Sequence, residues 1–303
     1  MNQFRSNPAV SIILPTYNRA QTLPRAIKSV LKQTFTDFEL IIIDDASTDN
    51  TQSILAQFNE PRIKRIRLKN NYGTSGARNC GIMHSKGRYL AFIDSDDCWN
   101  NEKLKKQFLI LDKSDHNVGV VFSAFWQIRD KKKKRMLYHQ SFTDTKNIKG
   151  LLLRGNFITI HSLMRKECFD CVGLWDESLS RLGDWDLWLR ISDYFDFICL
   201  NEPLVEIFES QDAISQNNQK FIFSQAAILE KHLTKFISCK KILAKHYYCL
   251  GRMYADINDT EAAKKYLKKA VISSKLNIKY RFFKELMHWY PNYYSKFKKI
   301  RVK

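Results

Sequence analysis

Three carboxylates fall within four positions in the segment Phe92-Ile93-Asp94-Ser95-Asp96-Asp97. At neutral pH they repel one another unless a cation or a dense set of donors compensates them. Mg²⁺ or Mn²⁺ meets that need, because both prefer oxygen ligands and bind through one or two carboxylates while phosphates and water complete the shell. Three aspartates cannot fill such a shell, so a diphosphate is the expected co-ligand. An Asp-rich turn capping the next helix accounts for the same residues, since Asp favours both places. A second segment favours the ligand reading: Asn71-Tyr72-Gly73-Thr74-Ser75-Gly76-Ala77-Arg78-Asn79 is a glycine-bearing loop that runs into a helix, where free N–H groups can approach an anion.

The elements that must position these residues are legible from apolar patterning. Val10 to Leu14, closed by Pro15, and Leu40 to Ile43, closed by Asp44-Asp45, read as buried parallel strands. Leu23, Ile27, Val30 and Leu31 recur between them at helical spacing, giving a strand, helix, strand unit with a right-handed crossover. The pattern continues with a helix from about Thr51, a strand over 63–68, a helix over 75–84, and strands over 89–93 and 118–125. These predict an α/β fold with a mixed, mostly parallel sheet. Both acidic clusters fall where a strand ends, and open α/β sheets bind ligands at the carboxyl ends of their strands.

After Asn201-Glu202-Pro203 the strand signals stop, and from about Lys220 the chain reads as consecutive helices. The spacing predicts an α/β domain over 1–215 and a basic α-helical region over 216–303. Within the latter, Tyr247, Leu250, Gly251, Tyr254, Ala263, Leu267 and Ala270 match one tetratricopeptide-like hairpin over about 244–275. A single repeat cannot bury its own faces, so this hairpin is expected to pack on something else. The basic run Lys131 to Arg135 reads as a solvated hairpin tip without a role.

A chain of 303 residues, 44% hydrophobic, can bury a full core, so disorder is not the default reading. Seven scattered cysteines without a leading apolar stretch argue for reduced thiols and a cytoplasmic protein. Cys168-Phe169-Asp170-Cys171 has no second pair to complete a zinc site. No apolar run approaches the roughly 20 residues of a membrane span. Of the net charge of +19, +15 lies between Lys220 and Lys303, with 20 Lys and Arg against 5 Asp and Glu. There Tyr280, Phe282, Phe283, Trp289, Tyr290, Tyr293, Tyr294 and Phe297 alternate with cations, which suits peripheral attachment to an anionic membrane face.

The segments Val10-Ser11-Ile12-Ile13-Leu14-Pro15-Thr16-Tyr17-Asn18, Ile43-Asp44-Asp45-Ala46-Ser47-Thr48-Asp49, Gly76-Ala77-Arg78-Asn79-Cys80-Gly81 and Phe92 to Asp97 together resemble the successive signatures of family-2 glycosyltransferases. The resemblance covers about residues 8–205 and implies a GT-A fold, a nucleotide-sugar donor of uridine type, Mn²⁺ or Mg²⁺, and inverting transfer to a glycan or lipid-linked acceptor. By the same resemblance Pro15, Thr16, Tyr17, Asn18, Asp44, Asp45, Arg78, Asp94 and Ser95 bind the donor, with Asp45 on the base and Asp94 on the ribose. Asp96, with Asp97 beside it, holds the metal. Arg78 either supports the donor or ties its loop to the sheet.

Gly173-Leu174-Trp175-Asp176-Glu177 and Gly183-Asp184-Trp185-Asp186-Leu187-Trp188-Leu189-Arg190 resemble the family's second half, with Gly183 where many members have Glu. The resemblance makes Asp184 the general base, with Asp186 the competing carboxylate. Trp185, Leu187, Trp188 and Ile191 read as packing, and His161 as a structural hydrogen-bonder. Glu209 and Gln211 stand where members often have Arg and His, so no histidine ligand is expected from that stretch. The Gln-x-x-Arg-Trp signature of processive synthases is absent, so one sugar per encounter is expected. The rival readings are a catalytically inactive nucleotide-sugar-binding homologue and a basic nucleic-acid-binding protein. The second leaves carboxylates at strand ends unexplained, and nucleic acid is not an expected partner.

Overall fold

The computed structural model describes residues 7–129, 132–136, 147–208 and 218–289. The chain divides into two compact units that meet between Ala213 and Ile214. The boundary expected near residue 215 lies outside the described residues.

The first unit is built on β1 (Val10–Thr16), α1 (Leu23–Leu31), β2 (Phe38–Asp44), α2 (Thr51–Ala56), β3 (Ile63–Arg67), α3 (Gly73–Met83) and β4 (Tyr89–Phe92). It continues through β5 (Cys98–Trp99), α4 (Lys103–Lys113), β6 (Val118–Arg129), β7 (Lys132–Met136), α5 (Ile148–Arg154), β8 (Leu163–Arg165), α6 (Glu167–Val172), α7 (Gly183–Ile191) and β9 (Asp196–Phe208). The sheet runs β3-β2-β1-β4-β8-β6-β9-β5, with β7 paired to β6 off that path. Parallel pairing joins β3, β2, β1 and β4, and also β6 to β9; the pairs of β8 with β4 and β6, of β5 with β9 and of β6 with β7 are antiparallel.

Every residue of β1 and all but Glu39 of β2 are buried, as strands covered on both faces must be. One face receives Leu23, Ala26, Ile27 and Val30 of α1, which join Ile12, Leu14, Leu40 and Ile42 in the main core. The other face receives α3. Its Gly81 is required by contact, because a Cβ there would stand 2.5 Å from Cγ2 of Ile13.

The structure corrects two readings of the sequence. The last strand does not stop at Pro203 but runs through it to Phe208, with register shifts against β6 around Ala124. Proline lacks a ladder donor, and a bulge is where a strand tolerates it. Within the basic run, Lys132 to Arg135 are likewise strand rather than tip: Lys132 pairs with Arg129 and Arg135 with Trp126.

In the second unit, α8 (Asn218–Lys231), α9 (Leu233–Ile237), α10 (Lys240–Asp256), α11 (Thr260–Ser273) and α12 (Ile278–Trp289) follow one another. Tyr247, Leu250, Tyr254, Ala263, Leu267 and Ala270 are buried along α10 and α11. Gly251 lets the two helices approach, since its Cβ would meet Leu267 Cγ at 2.7 Å. Asp259 caps α11 by accepting the Ala262 N–H at 3.0 Å. Among the described residues, no helix is long and apolar enough to cross a membrane.

Candidate active site

The carboxyl ends of β1, β2 and β4 carry the candidate donor residues side by side: Thr16 pairs with Asp44 in the ladder, and Ile93 donates to Ile13 O at 3.1 Å just before Asp94. Pro15 and Thr16 are buried, and Tyr17 is 45% exposed at the rim. Asn18 takes a left-handed backbone, φ 51°, which lets its Oδ1 accept the N–H groups of Thr48 at 2.8 Å and Asp49 at 3.3 Å. Asp44 is occupied internally, accepting from Ser47 N–H at 3.0 Å and from Gln52, with Arg67 at 3.6 Å. Asp45 accepts the Tyr72 N–H at 2.8 Å, and burial pushes its carboxyl up against that bond and one from Gly73.

Helix α3 aims Arg78 at the acidic turn. Its Nη2 donates to Asp94 Oδ1 at 2.7 Å while the guanidinium lies 4.6 Å over the Trp175 ring. Burial works to raise the Asp94 carboxyl, but the charge and hydrogen bond of Arg78 and the smaller effects of His161 and Arg19 together outweigh it and hold the group below the usual range. The neighbouring Asn79 donates to Trp175 O at 3.0 Å and Glu177 Oε1 at 2.7 Å and accepts Trp175 N–H at 2.9 Å, tying α3 to the segment that leads into α7.

The three carboxylates after β4 have different surroundings. Asp97 is buried, and both its oxygens are taken: Oδ1 accepts the Phe208 N–H at 3.0 Å, and Oδ2 faces His161 Nε2 at 2.8 Å. Asp96 is half-buried, its peptide oxygen held by Arg25, and among the described residues no cation pairs with its carboxylate. Burial and then the charges of Asp97 and Asp94 push it up to about 6. Ser95 is buried between them.

Asp94, Asp97 and His161 offer ligand atoms within 4.8 Å of one another. Hydrogen bonding excludes His161 from a metal shell in this arrangement. Trp99 Nε1, a donor only, lies 3.1 Å from His161 Nδ1, so Nδ1 accepts and Nε2 carries the proton given to Asp97. Neither ring nitrogen has a lone pair left for a cation. The carboxylate of Asp96 beside Asp94 does fit a hard divalent ion, because two carboxylates lie close together there and the charge of Arg19 offsets only part of the rise that burial, Asp97 and Asp94 impose on Asp96.

Asp184 lies in the first turn of α7, after Leu182 in a left-handed backbone, φ 58°. Its Oδ2 accepts from Asn156 Nδ2 and its Oδ1 from Trp185 N–H, both at 2.9 Å. Burial raises this carboxyl, opposed by Asn156 and by the charge of Arg78; the Asp94 charge adds to the rise, so all these groups share one region. Asp186 is fully buried and bonded to Arg190 at 2.9 Å, and that arginine also holds Val172 O and Leu174 O. It is a structural clip. Trp185, Leu187, Trp188 and Ile191 are buried as packing.

Sequence reasoning passed over Arg25, Trp99 and Asn156, and read His161 only as a hydrogen-bonder. Their partners are remote in sequence, and no local spacing signals them. Glu209 and Gln211 lie outside the described residues. All seven cysteines are free, Cys168 buried and Cys171 exposed.

Residues 11–173 match the model of Glycosyl transferase family 2. An uncharacterized glycosyltransferase of Rickettsia prowazekii (strain Madrid E) is 34% identical over 246 residues, 78% of this chain and 76% of that protein. The UDP-Glc:alpha-D-GlcNAc-diphosphoundecaprenol beta-1,3-glucosyltransferase WfgD of Escherichia coli is 42% identical over 116 residues, 38% of this chain and 45% of its own. The mannosyltransferase PcManGT of Pyrobaculum calidifontis, solved with GDP-Man and Mn²⁺, superposes with a TM-score of 0.62 over 99% of this chain and 89% of its own at 14% identity, which shows a shared GT-A-like fold. A family model spanning more than half of the chain, and a relative a third identical along most of both lengths, agree with this arrangement of strand-end carboxylates: the chain belongs to glycosyl transferase family 2.

Proposed function

We propose that this glycosyltransferase moves a sugar, with inversion, from a uridine-diphosphate donor to a hydroxyl of a lipid-linked or glycan acceptor in cell-surface polysaccharide synthesis, working peripherally at the cytoplasmic membrane face. The observation that carries the reading is Asp184, a carboxylate raised by burial and oriented by Asn156 and the Trp185 N–H, on the same side as the Arg78–Asp94 pair. The substrates that WfgD's name gives support both the donor and the acceptor class.

Pro15, Thr16, Tyr17, Asn18, Asp44, Asp45, Arg78, Asp94 and Ser95 form the donor pocket: Asp45 meets the base, Asp94 the ribose, and Asn18 and Asp44 hold the loops that shape it. Asp96, with Asp97 beside it, would hold a Mn²⁺ or Mg²⁺ ion. Such an ion offsets charge on the departing diphosphate. The acceptor hydroxyl gives its proton to Asp184 as its oxygen bonds to the anomeric carbon. The bond from that carbon to the diphosphate breaks on the opposite face. Arg78 keeps Asp94 ionised and in register throughout.

Thermal unfolding with UDP and GDP, with and without Mn²⁺, tests this on the wild type and on Asp96→Ala. A metal-dependent rise with UDP that the variant loses supports the reading. No rise with any nucleotide overturns it.

A further inference from the structure

Leu276 and Ile278 are 90% and 82% exposed, more than any other large apolar side chain among the described residues. They stand at the junction of α11 and α12. From there Ile278, Phe282 and Trp289, all exposed, continue along one side of α12 at helical spacing, and Ile272 is exposed on α11. The inner side of α12 is apolar as well: Tyr280, Phe283, Leu286 and Met287 are buried, with Tyr280 stacked on Tyr248 at 4.7 Å. A helix facing water on its outer side is ordinarily polar there. Contiguous exposed apolar surface with a charged rim marks an interaction site.

The rim identifies the partner. Lys275 and Lys279 flank the two aliphatic side chains, Arg281 lies on the exposed side, and the acid there, Glu285, is bonded to Lys284 at 2.8 Å. An apolar tip collared by cations fits acyl chains beneath anionic headgroups, the aliphatic residues entering the interface and the cations meeting phosphates. Nucleic acid would meet the cations but gains little from Leu and Ile, which offer no ring for base stacking.

We propose that the α11–α12 junction, with Leu276 and Ile278 at its tip, is an insertion point that docks the protein on an anionic bilayer. It deepens the peripheral-membrane part of the function proposed above, and names the residues that enter the lipid. Removing both aliphatic side chains from the interface is expected to lower partitioning at least tenfold, a tenfold change being about 1.4 kcal/mol.

The full-length protein is floated with vesicles of phosphatidylcholine alone and of phosphatidylcholine mixed with phosphatidylglycerol. The wild type is expected to float with the anionic vesicles only, Leu276→Ser/Ile278→Ser to lose at least tenfold in partitioning, and Leu276→Phe/Ile278→Phe to retain it. Sites this exposed tolerate substitution, and the UDP-induced thermal shift of each variant, measured separately, reports the donor site independently of lipid. Equal flotation of wild type and the Ser variant overturns the proposal. So does a wild-type dimer that the Ser pair dissociates without vesicle binding, which would make the patch an interface between copies.

Discussion

His161 Nε2 lies 2.8 Å from Asp97 Oδ2 while its Nδ1 accepts the Trp99 indole N–H at 3.1 Å, all three side chains being buried. The imidazole holds a carboxylate that also anchors the end of β9 through the Phe208 N–H at 3.0 Å. His161→Ala leaves Asp97 buried without its donor. It is expected to lose about 2–4 kcal/mol of unfolding free energy, whereas Trp99→Phe, which removes one neutral hydrogen bond, loses about 1 kcal/mol. Urea unfolding separates the two.

Asp96 gives a pH signature to the metal-free protein. Its folded value of about 6 exceeds the unfolded one, so the folded state binds the extra proton. The favourable contribution is present below the unfolded value and is lost as pH rises through 6. Asp96→Asn is therefore expected to raise the unfolding free energy in EDTA at pH 8 by about 1–2 kcal/mol after discounting for partial exposure, and the melting temperature with it, and to have no effect near pH 4. The same variant should lose the Mn²⁺-dependent shift with UDP.

Asp184→Asn keeps the side chain's size and, through its one oxygen, the bond from the Trp185 N–H; its NH2 can only donate, so contact with Asn156 requires that amide to turn its oxygen inward, and the residue cannot accept a proton. Turnover is expected to fall about 10²- to 10⁴-fold with donor binding retained. In the wild type the burial-raised carboxyl must be ionised to work, so the acid limb of the rate profile should lie above the ordinary carboxylate range. An acid limb at that range with Asp184→Asn still active would remove Asp184 from the base role.

Lys103 is fully buried, and its Nζ has no hydrogen-bond partner among the described residues, lying 3.7 Å over the Trp99 ring. Burial lowers this amine well below its usual value. The unfolded state thus binds the proton more readily, and stability rises with pH between the lowered folded value and the ordinary unfolded one, by up to about 1.4 kcal/mol per pH unit. Lys103→Met is expected to stabilise the protein by about 1–3 kcal/mol at neutral pH and to remove that slope, as read by urea midpoints across pH.

Much of this molecule was determined locally. The apolar runs at Val10 and Leu40 could only be strands buried on both faces, and Leu23, Ile27 and Val30 share one side of a helix, so the layered start of the fold followed from periodicity. Asp44-Asp45 and Asp94 to Asp97 fell at strand ends for the same reason, and their order along the chain was enough to reveal the family. What only tertiary structure decided was the state of each group. Nothing local distinguishes Asp96 from Asp97; one is open and the other closed because Trp99, His161 and the far end of β9 converge there. Asp186 was separated from Asp184 by burial and by Arg190 one turn on. Strand β9 ran through Pro203 because its partner β6 shifts register beside it. Burial, charge and hydrogen bonding depend on which remote residues fill the space around a side chain, and spacing along the chain does not carry that information.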